Sequence, residues 1–432
     1  MTLPKGWAYT TLAECQGQTE TVDPRSFQGE DFDLFSVPSY SNYKPEQASG
    51  SEIGSAKQAV REGDVLLCKI VPHIRRGWVV PAAENRRQIA SGEWIVFRDH
   101  GLDPNYLRCF VLSDGFHDQF MQTVSGVGGS LMRARPAEAG KIEVPVPPLA
   151  EQRRIVAKLD ALTARLTRAR AELDRLELLA KRLRAEVLRA SFPITCPSLL
   201  PIGEVVTEAR YGTAKKCDYA GGAVPVLRIP NIQSGKINLS DLKLADFDAV
   251  EHRKLALRLG DVLVIRSNGS LDLVGRSAVV EEDAVGMLYA GYLIRLRPDM
   301  TKMRPNYLSH FLASPQVRER IESAARSTSG VNNVNAQQLQ SLTIPTPSLV
   351  DQDSAVAKID AAFARADRLE AEARKARALL DRLERAVLAR AFRGELVPQD
   401  PNDEPASALL ERIRAQRATA PKAKRGRKAK AV

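Results

Sequence analysis

Two long stretches without glycine or proline restrict the fold of this sequence more than any other feature. The chain has 432 residues with 27 glycines and 25 prolines, so a window of 44 residues should hold about five of these helix interrupters. Residues 149–192 and 349–392 contain none. Each stretch is therefore predicted to form one continuous helix, far longer than the average of about 12 residues in globular proteins.

Both predicted helices have the residue spacing of a coiled coil. Apolar residues alternate at steps of four and three, which is a heptad pattern. The pattern occupies positions 155, 159, 162, 166, 169, 173, 176, 180, 183, 187 and 190, and then 355, 359, 362, 366, 369, 373, 376, 380, 383 and 387. The second set is rich in alanine, which predicts close approach of the helices. The alternative to a coiled coil is two separate core helices of globular domains. The length of the two predicted helices disfavours this alternative.

The sequence repeats itself after about 200 residues. AKLD at 157–160 recurs as AKID at 357–360, PNYL at 104–107 recurs at 305–308, and GDVL at 63–66 recurs at 260–263. A repeat of this kind indicates two copies of one structural unit. The segments before each helix mix strand-like runs with short helices and turns, so we expect two α/β or α+β domains separated by the two helices.

The length of the helices predicts their relative direction. A 44-residue helix spans about 66 Å, whereas the chain enters and leaves a domain of this size within about 40 Å. The second helix must therefore run back along the first, as an antiparallel coiled coil with an approximate twofold relation between the halves. The predicted boundaries are a first domain at 1–148, a first helix at 149–192, a second domain at 193–348, a second helix at 349–392, a C-terminal segment with a short helix at 393–420 and a disordered basic tail at 421–432.

The charge of the chain is strongly positive. It has 63 Lys or Arg and 52 Asp or Glu, a net charge of +11, and six of the basic residues lie in the last twelve positions. Such a tail attracts polyanions without sequence preference.

No segment has the roughly 18 uncharged apolar residues of a membrane span, and the start lacks the apolar core of a signal peptide. We expect a cytoplasmic protein without membrane association, whose five unpaired cysteines are reduced.

Catalytic motifs are absent from the sequence. It has no GxxxxGK[ST] phosphate loop, no NPP[FYW] segment and no GxSxG elbow, and its five histidines are dispersed. One [DE]xK triplet, Asp241 to Lys243, lacks the upstream Pro-Asp of a metal-dependent nuclease. The interpretation is a non-catalytic chain that holds no cofactor and no metal.

Basic and amide side chains in loops are the candidates for function. Arginine can read guanine through two hydrogen bonds, asparagine can read adenine, and serine can hold phosphate. For each single residue, the alternative to DNA binding is a solvent-exposed turn without a binding role. Basic loops follow GDVL in both repeats, however, and this recurrence favours a shared binding surface. The candidate DNA-binding residues are Lys69, His73, Arg75, Arg76 and Arg133 in the first domain, and Arg210, Tyr211, Lys215, Lys216, Arg228, Asn231, Arg266, Ser267, Asn268, Ser270, Asn332 and Asn333 in the second.

Several of these motifs together resemble the specificity subunit of Type I restriction-modification systems. The resemblance is strong over residues 193–415, in YGT, VLRIPNI, GDVL, RSNGS, SGVNN and RAFRGELVPQDPNDEPASALLERI, and weaker in the first domain. It implies two target-recognition domains that each read half of an asymmetric bipartite site in double-stranded DNA. It also implies helices that space these domains and bind two methyltransferase subunits, together with a restriction and translocation subunit. S-adenosylmethionine, ATP and magnesium would then belong to those partners.

The first domain departs from the pattern of the second. It has SGVGGSLMRARP where the second domain has SGVNNVNAQQLQ, so the roles expected for Asn332 and Asn333 have no counterpart there.

Two alternatives from other classes of protein function stay open at this point. One is a coiled-coil scaffold whose globular heads bind protein, and the other, less favoured, is a self-sufficient nuclease.

Overall fold

The computed structural model describes residues 3–126, 132–193, 198–233, 235–326 and 331–419. The predicted basic tail at 421–432, Cys196 and part of both SGV segments lie outside these ranges. The chain divides into two compact units. Unit one is Met1–Ala171 with Ala376–Val432, and unit two is Glu172–Lys375.

Unit one contains the first globular domain, called domain one. Its strands are β1 (Ala8–Thr11), β2 (Thr21–Val22), β3 (Asp31–Phe35), β4 (Glu46–Ser49), β5 (Lys57–Ala59), β6 (Val65–Cys68), β7 (Gly77–Val79), β8 (Arg87–Ala90), β9 (Trp94–Phe97), β10 (Val124–Ser125), β11 (Arg133–Ala134) and β12 (Glu143–Val146). Its helices are α1 (Leu12–Cys15), α2 (Pro104–Val111), α3 (Asp114–Gln122) and α4 (Pro136–Ala139), and the first long helix is α5 (Leu149–Ser191).

Unit two contains domain two. Its strands are β13 (Leu199–Pro201), β14 (Val206–Tyr211), β15 (Val224–Leu227), β16 (Ile232–Gln233), β17 (Lys236–Ile237), β18 (Lys243–Ala245), β19 (Val262–Ile265), β20 (Ser267–Asn268), β21 (Ser277–Val279), β22 (Leu288–Tyr289), β23 (Leu293–Pro298), β24 (Asn332–Asn333) and β25 (Thr343–Pro345). Its helices are α6 (Ile202–Val205), α7 (Ala249–Leu255), α8 (Pro305–Ala313), α9 (Pro315–Ala325) and α10 (Ala336–Gln340). The second long helix is α11 (Leu349–Ala391), and the C-terminal helix α12 (Ala406–Thr419) belongs to unit one.

Small sheets form the framework of both domains. The order β2-β5-β8-β3-β4 and the order β7-β6-β9 occur in domain one, and the order β14-β23-β19-β21 and the order β18-β15-β22 in domain two. Strands β6 and β19, which begin within the GDVL repeats, are buried along their whole length. The mixed sheet and helix content and the two long helices confirm the predicted fold class.

The GDVL repeat makes the same turn in both domains. Its glycine has a positive φ, 80° in domain one and 82° in domain two, a conformation that glycine adopts without a steric penalty. The aspartate that follows accepts a hydrogen bond from the backbone N–H three residues earlier: Arg61 donates to Asp64 at 2.9 Å and Arg258 to Asp261 at 2.8 Å. The motif is therefore a turn that delivers the chain into a buried strand.

Each GDVL aspartate is buried and pairs with an arginine that lies in a neighbouring strand or directly after it. In domain one Arg98 Nε lies 3.0 Å from Asp64 Oδ1. In domain two Arg297 binds Asp261 through Nε and Nη2, both at 2.7 Å, and the buried Arg295 lies beside them. Desolvated charges of this kind are tolerated only while they are paired. The pair therefore locks the GDVL strand to its neighbour in the sheet.

A buried glutamine fixes the start of each long helix to its domain. Gln152 accepts a hydrogen bond from the Asp103 backbone N–H, and Gln352 accepts one from the Arg304 N–H, both at 2.8 Å. Each side-chain amide donates to the carbonyl of the proline five residues earlier, at 2.9 and 3.0 Å. Both glutamines are completely buried. Since residues 103 and 304 cap helices α2 and α8, the glutamine joins the PNYL helix to the long helix.

The long helices pair in antiparallel fashion within each unit. In unit one Ile155 and Leu159, near the start of α5, pack in one cluster with Ala391 at the end of α11. In unit two Leu188, near the end of α5, packs in one cluster with Ile359 near the start of α11. This confirms the predicted direction. The heptad prediction is wrong for four positions that are exposed, because the two-helix contact covers only part of each apolar stripe: Leu176, Ala190, Leu369 and Leu383.

Ion pairs across the coiled coil distinguish the two helices. In unit one Arg170 of α5 lies 2.6 Å from Glu384 of α11, and in unit two Arg184 of α5 lies 2.6 Å from Glu370 of α11. Positions 170 and 370, and 184 and 384, are equivalent in the 200-residue repeat. The arginines thus lie on α5 and the acids on α11. Exposed pairs contribute at most about 1 kcal/mol each, so their main effect is on which helices pair.

A buried carboxyl group anchors the N-terminal segment to α5 in unit one. The Trp7 indole N–H donates to Glu151 Oε2 at 3.1 Å, and both side chains are buried. Burial raises the pKa of Glu151, and the indole hydrogen bond partly opposes that rise. At the equivalent place in unit two, Asp351 is exposed and accepts a hydrogen bond from the Ser348 hydroxyl.

The C-terminal helix completes the core of domain one. Leu409, Leu410 and Ile413 of α12 pack in the same cluster as Leu12 of α1. Arg414 pairs with Glu14 at 3.1 Å. Among the described helices, none is long and apolar enough to cross a membrane.

We expect Asp261→Ala to lower the free energy of unfolding by about 3 kcal/mol, because it removes the buried carboxylate that binds Arg297 twice and leaves Arg295 and Arg297 with Glu208 as their shared partner. Urea unfolding measures this change. Asp272→Ala is the matched control, since the Asp272–Arg276 pair in the same unit is largely exposed and its loss should cost under about 1 kcal/mol. Equal losses in the two variants would contradict a structural role for the buried pair.

Glu151 should make the stability of unit one depend on pH. Its folded pKa lies above the unfolded value, so the folded state binds the proton more tightly, and stability is lost as pH rises from about 4.5 through the folded pKa. Glu151→Gln should abolish this loss, and Trp7→Phe, which removes the indole donor, should steepen it. Urea unfolding across this pH range is the measurement. A pH-independent difference between wild type and Glu151→Gln would refute the assignment.

Candidate nucleic-acid interface

Two distant segments of domain two meet in a short ladder beyond the buried strand β19. Strand β20 pairs antiparallel with β24, with Ser267 opposite Asn333 and Asn268 opposite Asn332. The Asn332 amide donates to the Gly269 carbonyl at 3.0 Å. The RSNGS and VNN motifs, separated by more than sixty residues in sequence, therefore form one surface, which we call the amide ladder (residues 266–270 and 332–333).

Arg266 is held in place at the edge of the amide ladder. Its guanidinium carbon lies 4.6 Å from the centroid of the Tyr211 ring, and its Nε donates to Asn333 Oδ1 at 3.2 Å. The Tyr211 hydroxyl in turn accepts the Ala336 backbone N–H at 2.9 Å. Among the described residues nothing accepts a hydrogen bond from the two terminal nitrogens of Arg266. An arginine oriented in this way can present two parallel donors to a guanine without first losing side-chain entropy.

Asn268 and Ser270 shape the tip of the same loop. The Asn268 carboxamide oxygen accepts the Ser270 backbone N–H at 2.8 Å, which leaves its amide N–H groups for other partners. Ser270 is exposed and Ser267 is partly exposed. The structure thus brings together Tyr211, Arg266, Ser267, Asn268, Ser270, Asn332 and Asn333 from the residues predicted in domain two.

A second group of predicted residues lines a basic cavity beside the amide ladder. Lys215, Lys216 and Arg228 line a cavity of about 660 Å³, together with Lys243 and Tyr292. Arg228 pairs with Asp241 at 3.0 Å and Lys215 lies 3.8 Å from Glu251.

 The Arg266 backbone N–H donates to the Tyr292 carbonyl at 2.9 Å, so Tyr292 joins the cavity to the ladder.

Two residues predicted in domain two have structural roles instead. Asn231 is buried, its oxygen accepts the Arg228 backbone N–H, and its amide donates to the carbonyls of Asn238 and Asp241, all at 2.8 Å. Its prediction as a DNA contact is therefore corrected, because a buried amide with every group bonded has no capacity left for a base. Arg210 pairs with Glu208, within the buried network of Arg295.

Domain one places its candidate loop in the same position of the fold. The loop follows β6, and Ile70 forms a β-bridge with Arg133, while Val71 donates its N–H to the Met132 carbonyl at 2.9 Å. Val71 has a φ of +49°, which is unusual and strained for a β-branched residue. In both domains the loop after GDVL is thus tied to the segment that precedes a short helix, α4 in domain one and α10 in domain two. The side chains on the two loops differ.

Two of the candidate cations of domain one have carboxylate partners. Arg75 pairs with Asp114, and Arg133 binds both carboxylate oxygens of Glu93. Such exposed pairs are weak and can exchange for a phosphate. Arg76 is half-buried and lines a cavity of about 380 Å³ with Lys57. Lys69 is half-buried in the same loop, and His73 is exposed.

Sequence reasoning missed three residues of these surfaces. Lys243 and Tyr292 line the basic cavity of domain two, and Lys57 lines the cavity of domain one. None of them follows GDVL, and the one motif that includes Lys243, the [DE]xK triplet, is typical of nucleases, so only the tertiary structure brings these residues to the surfaces described. For Lys243 the available signal was a cation in the otherwise apolar edge strand β18, whereas Lys57 lies in the interior strand β5 and gave no such signal.

Comparisons with known proteins agree on one family. No family model matches the chain. The Type I restriction enzyme EcoKI specificity subunit of Escherichia coli (strain K12) is 31% identical over 324 residues, which cover 70% of this chain and 69% of that protein. The StySPI specificity subunit of Salmonella potsdam is 28% identical over 347 residues, which cover 76% of this chain and 74% of that protein.

Solved structures share the fold. A chain from work on complex assembly and conformational transition of the type I R-M system matches with a TM-score of 0.77, at 24% identity over 92% of this chain and all of that one. The HsdS subunit from Thermoanaerobacter tengcongensis matches with a TM-score of 0.63, at 24% identity over 92% of this chain and 99% of that one. Given the duplicated domains, the two long helices and the extent of the sequence identity, the chain belongs to the family of Type I restriction enzyme specificity subunits.

Proposed function

We propose that this chain reads a bipartite DNA sequence for a Type I restriction-modification complex and performs no chemistry itself. The observation that carries the proposal is the preorganised amide ladder of domain two, in which Arg266 is held by Tyr211 and Asn333 with its terminal donors directed to no described residue. Family membership leaves the scaffold and nuclease alternatives without support.

The two half-sites should differ in sequence. Both domains share the GDVL turn, the buried aspartate–arginine pair and the tied loop that follows. The side chains on that loop differ, since domain two presents Arg266 and Asn268 where domain one presents Lys69 and a strained Val71. A common framework with different surface residues fits an asymmetric DNA target.

The long helices are the proposed docking site for two methyltransferase subunits. Leu179 in unit two and Leu379 in unit one are 55% and 61% exposed, and they occupy equivalent positions of the 200-residue repeat. Exposed large apolar side chains of this kind favour contact with a partner protein. Since the two exposed leucines are equivalent in the repeat, they support one methyltransferase subunit per repeat.

The chemistry would belong to the partner subunits. A methyltransferase subunit would hold S-adenosylmethionine, and a restriction and translocation subunit would use ATP and magnesium. This chain would act in the cytoplasm, where it would place those subunits at the sequence that its two domains recognise.

Arg266→Ala should reduce the affinity for the cognate sequence by about 1 to 3 kcal/mol, because it removes a two-donor contact to a base. Binding to random duplex should change much less. Arg276→Ala is the matched control, since this arginine of the same domain is paired with Asp272. Fluorescence anisotropy with both DNAs is the measurement.

Removing residues 421–432 should have a different effect. The loss of six basic residues should weaken binding to cognate and random DNA alike and should flatten the dependence on salt. If the truncation and Arg266→Ala act alike on the two DNAs, the proposed separation of sequence reading from backbone attraction is wrong.

Co-expression with the methyltransferase subunit should give a complex with two copies of it per specificity chain, as measured by native mass spectrometry. Leu179→Glu and Leu379→Glu should each remove one copy, because a buried charge is costly at an apolar contact. Val250→Glu, at an exposed position of domain two, should leave the stoichiometry unchanged. A full complement of methyltransferase in both leucine variants would contradict the proposed docking site.

A further inference from the structure

The basic cavity of domain two has a net positive lining. Its volume is about 660 Å³, and it is lined by the cations Lys215, Lys216, Arg228 and Lys243. No carboxylate is among its lining residues in the described part of the chain. A concave site of this size lies within the range of small-ligand pockets. Its positive lining attracts an anion, and its volume admits a polyatomic anion such as a phosphate group.

The four cations differ in how far they are already neutralised. Arg228 pairs with Asp241 at 3.0 Å, and Lys215 lies 3.8 Å from Glu251. Within the described residues, neither Lys216 nor Lys243 has a carboxylate partner. Their charges are therefore the ones that an incoming anion would meet.

Aromatic rings accompany these cations. Lys243 Nζ lies 4.9 Å from the centroid of the Tyr219 ring, a contact that positions the ammonium group and keeps its charge. Tyr292, which is 62% exposed, lines the cavity. Exposed aromatic rings beside lysines are suited to the sugars and bases that adjoin a phosphate.

The cavity is continuous with the amide ladder. Tyr292 lines the cavity and accepts the backbone N–H of Arg266, and Thr213 of the lining lies two residues after Tyr211. A DNA strand whose bases face Arg266 must therefore pass close to the cavity. Lysine suits a phosphate on such a strand, because its compact charge needs no fixed geometry.

We propose that the cavity is a phosphodiester seat, in which Lys216 and Lys243 hold the DNA backbone next to the bases that the amide ladder reads. This inference rests on the proposed function and adds to it a positioning role for Lys243 and Tyr292. The seat sets the register of the strand and carries no sequence information of its own.

Lys216→Ala and Lys243→Ala in the full chain, co-expressed with its methyltransferase subunit, test the seat. Affinities for cognate and random duplex are measured over a series of salt concentrations. Each substitution should reduce the slope of log affinity against log salt by about 1 for both DNAs, and the ratio of the two affinities should stay the same. Lys302→Ala is the matched control, because this exposed lysine of the same unit lies beside Asp299, away from the cavity lining.

Unchanged salt slopes in both cavity variants would overturn the seat, and so would a change in the ratio of cognate to random affinity, which would mean that the lysines read bases. A free nucleotide offers the same phosphate chemistry, so ATP binding is measured separately by calorimetry. ATP binding that is lost in the double variant while its DNA salt slope is intact would assign the cavity to a free nucleotide. Equal wild-type affinity for every DNA would instead refute the proposed function.

Discussion

A buried glutamine couples each globular domain to its long helix, and the position of the reading surface depends on that coupling. Gln152 and Gln352 each bond a backbone N–H at the start of a PNYL helix and a backbone carbonyl just before the long helix. Because both glutamine side chains are buried, each amide would cost free energy if left without a partner. The glutamine therefore makes the domain and the helix end one rigid piece.

A second buried interaction links this framework to the loops that are proposed to read DNA. The GDVL aspartate fixes its strand to a neighbouring arginine strand, and the loop that would meet DNA begins where that strand ends. The framework is the same in both domains, whereas the loop side chains differ. A protein built in this way can change the DNA sequence that it reads by surface substitutions, because the buried interactions do not involve the reading residues.

The sequence was sufficient to predict the long helices, the repeat and the mixed domains, since these follow from periodicity and from the absence of interrupters. It was also sufficient to place Arg266 and Asn268 in the loop that follows a buried strand, because GDVL recurs before both candidate loops. It was insufficient for Asn231, whose amide is consumed by backbone groups of its own loop, and for Leu383, which periodicity assigned to the seam and the structure leaves exposed. Local patterns carry no information on which polar groups are already bonded.

The sequence by itself determined the architecture of this protein: two copies of one unit, each with a domain and a long helix, and a chain direction dictated by helix length. Only the tertiary structure decided that β20 pairs with β24, that Tyr292 and Lys243 share a cavity with Lys216, and that α12 completes the core of domain one. The physical reason is the range of the interactions. Helix periodicity and turn preference act between near neighbours in sequence, whereas strand pairing, cavity lining and core closure depend on contacts between segments tens to hundreds of residues apart.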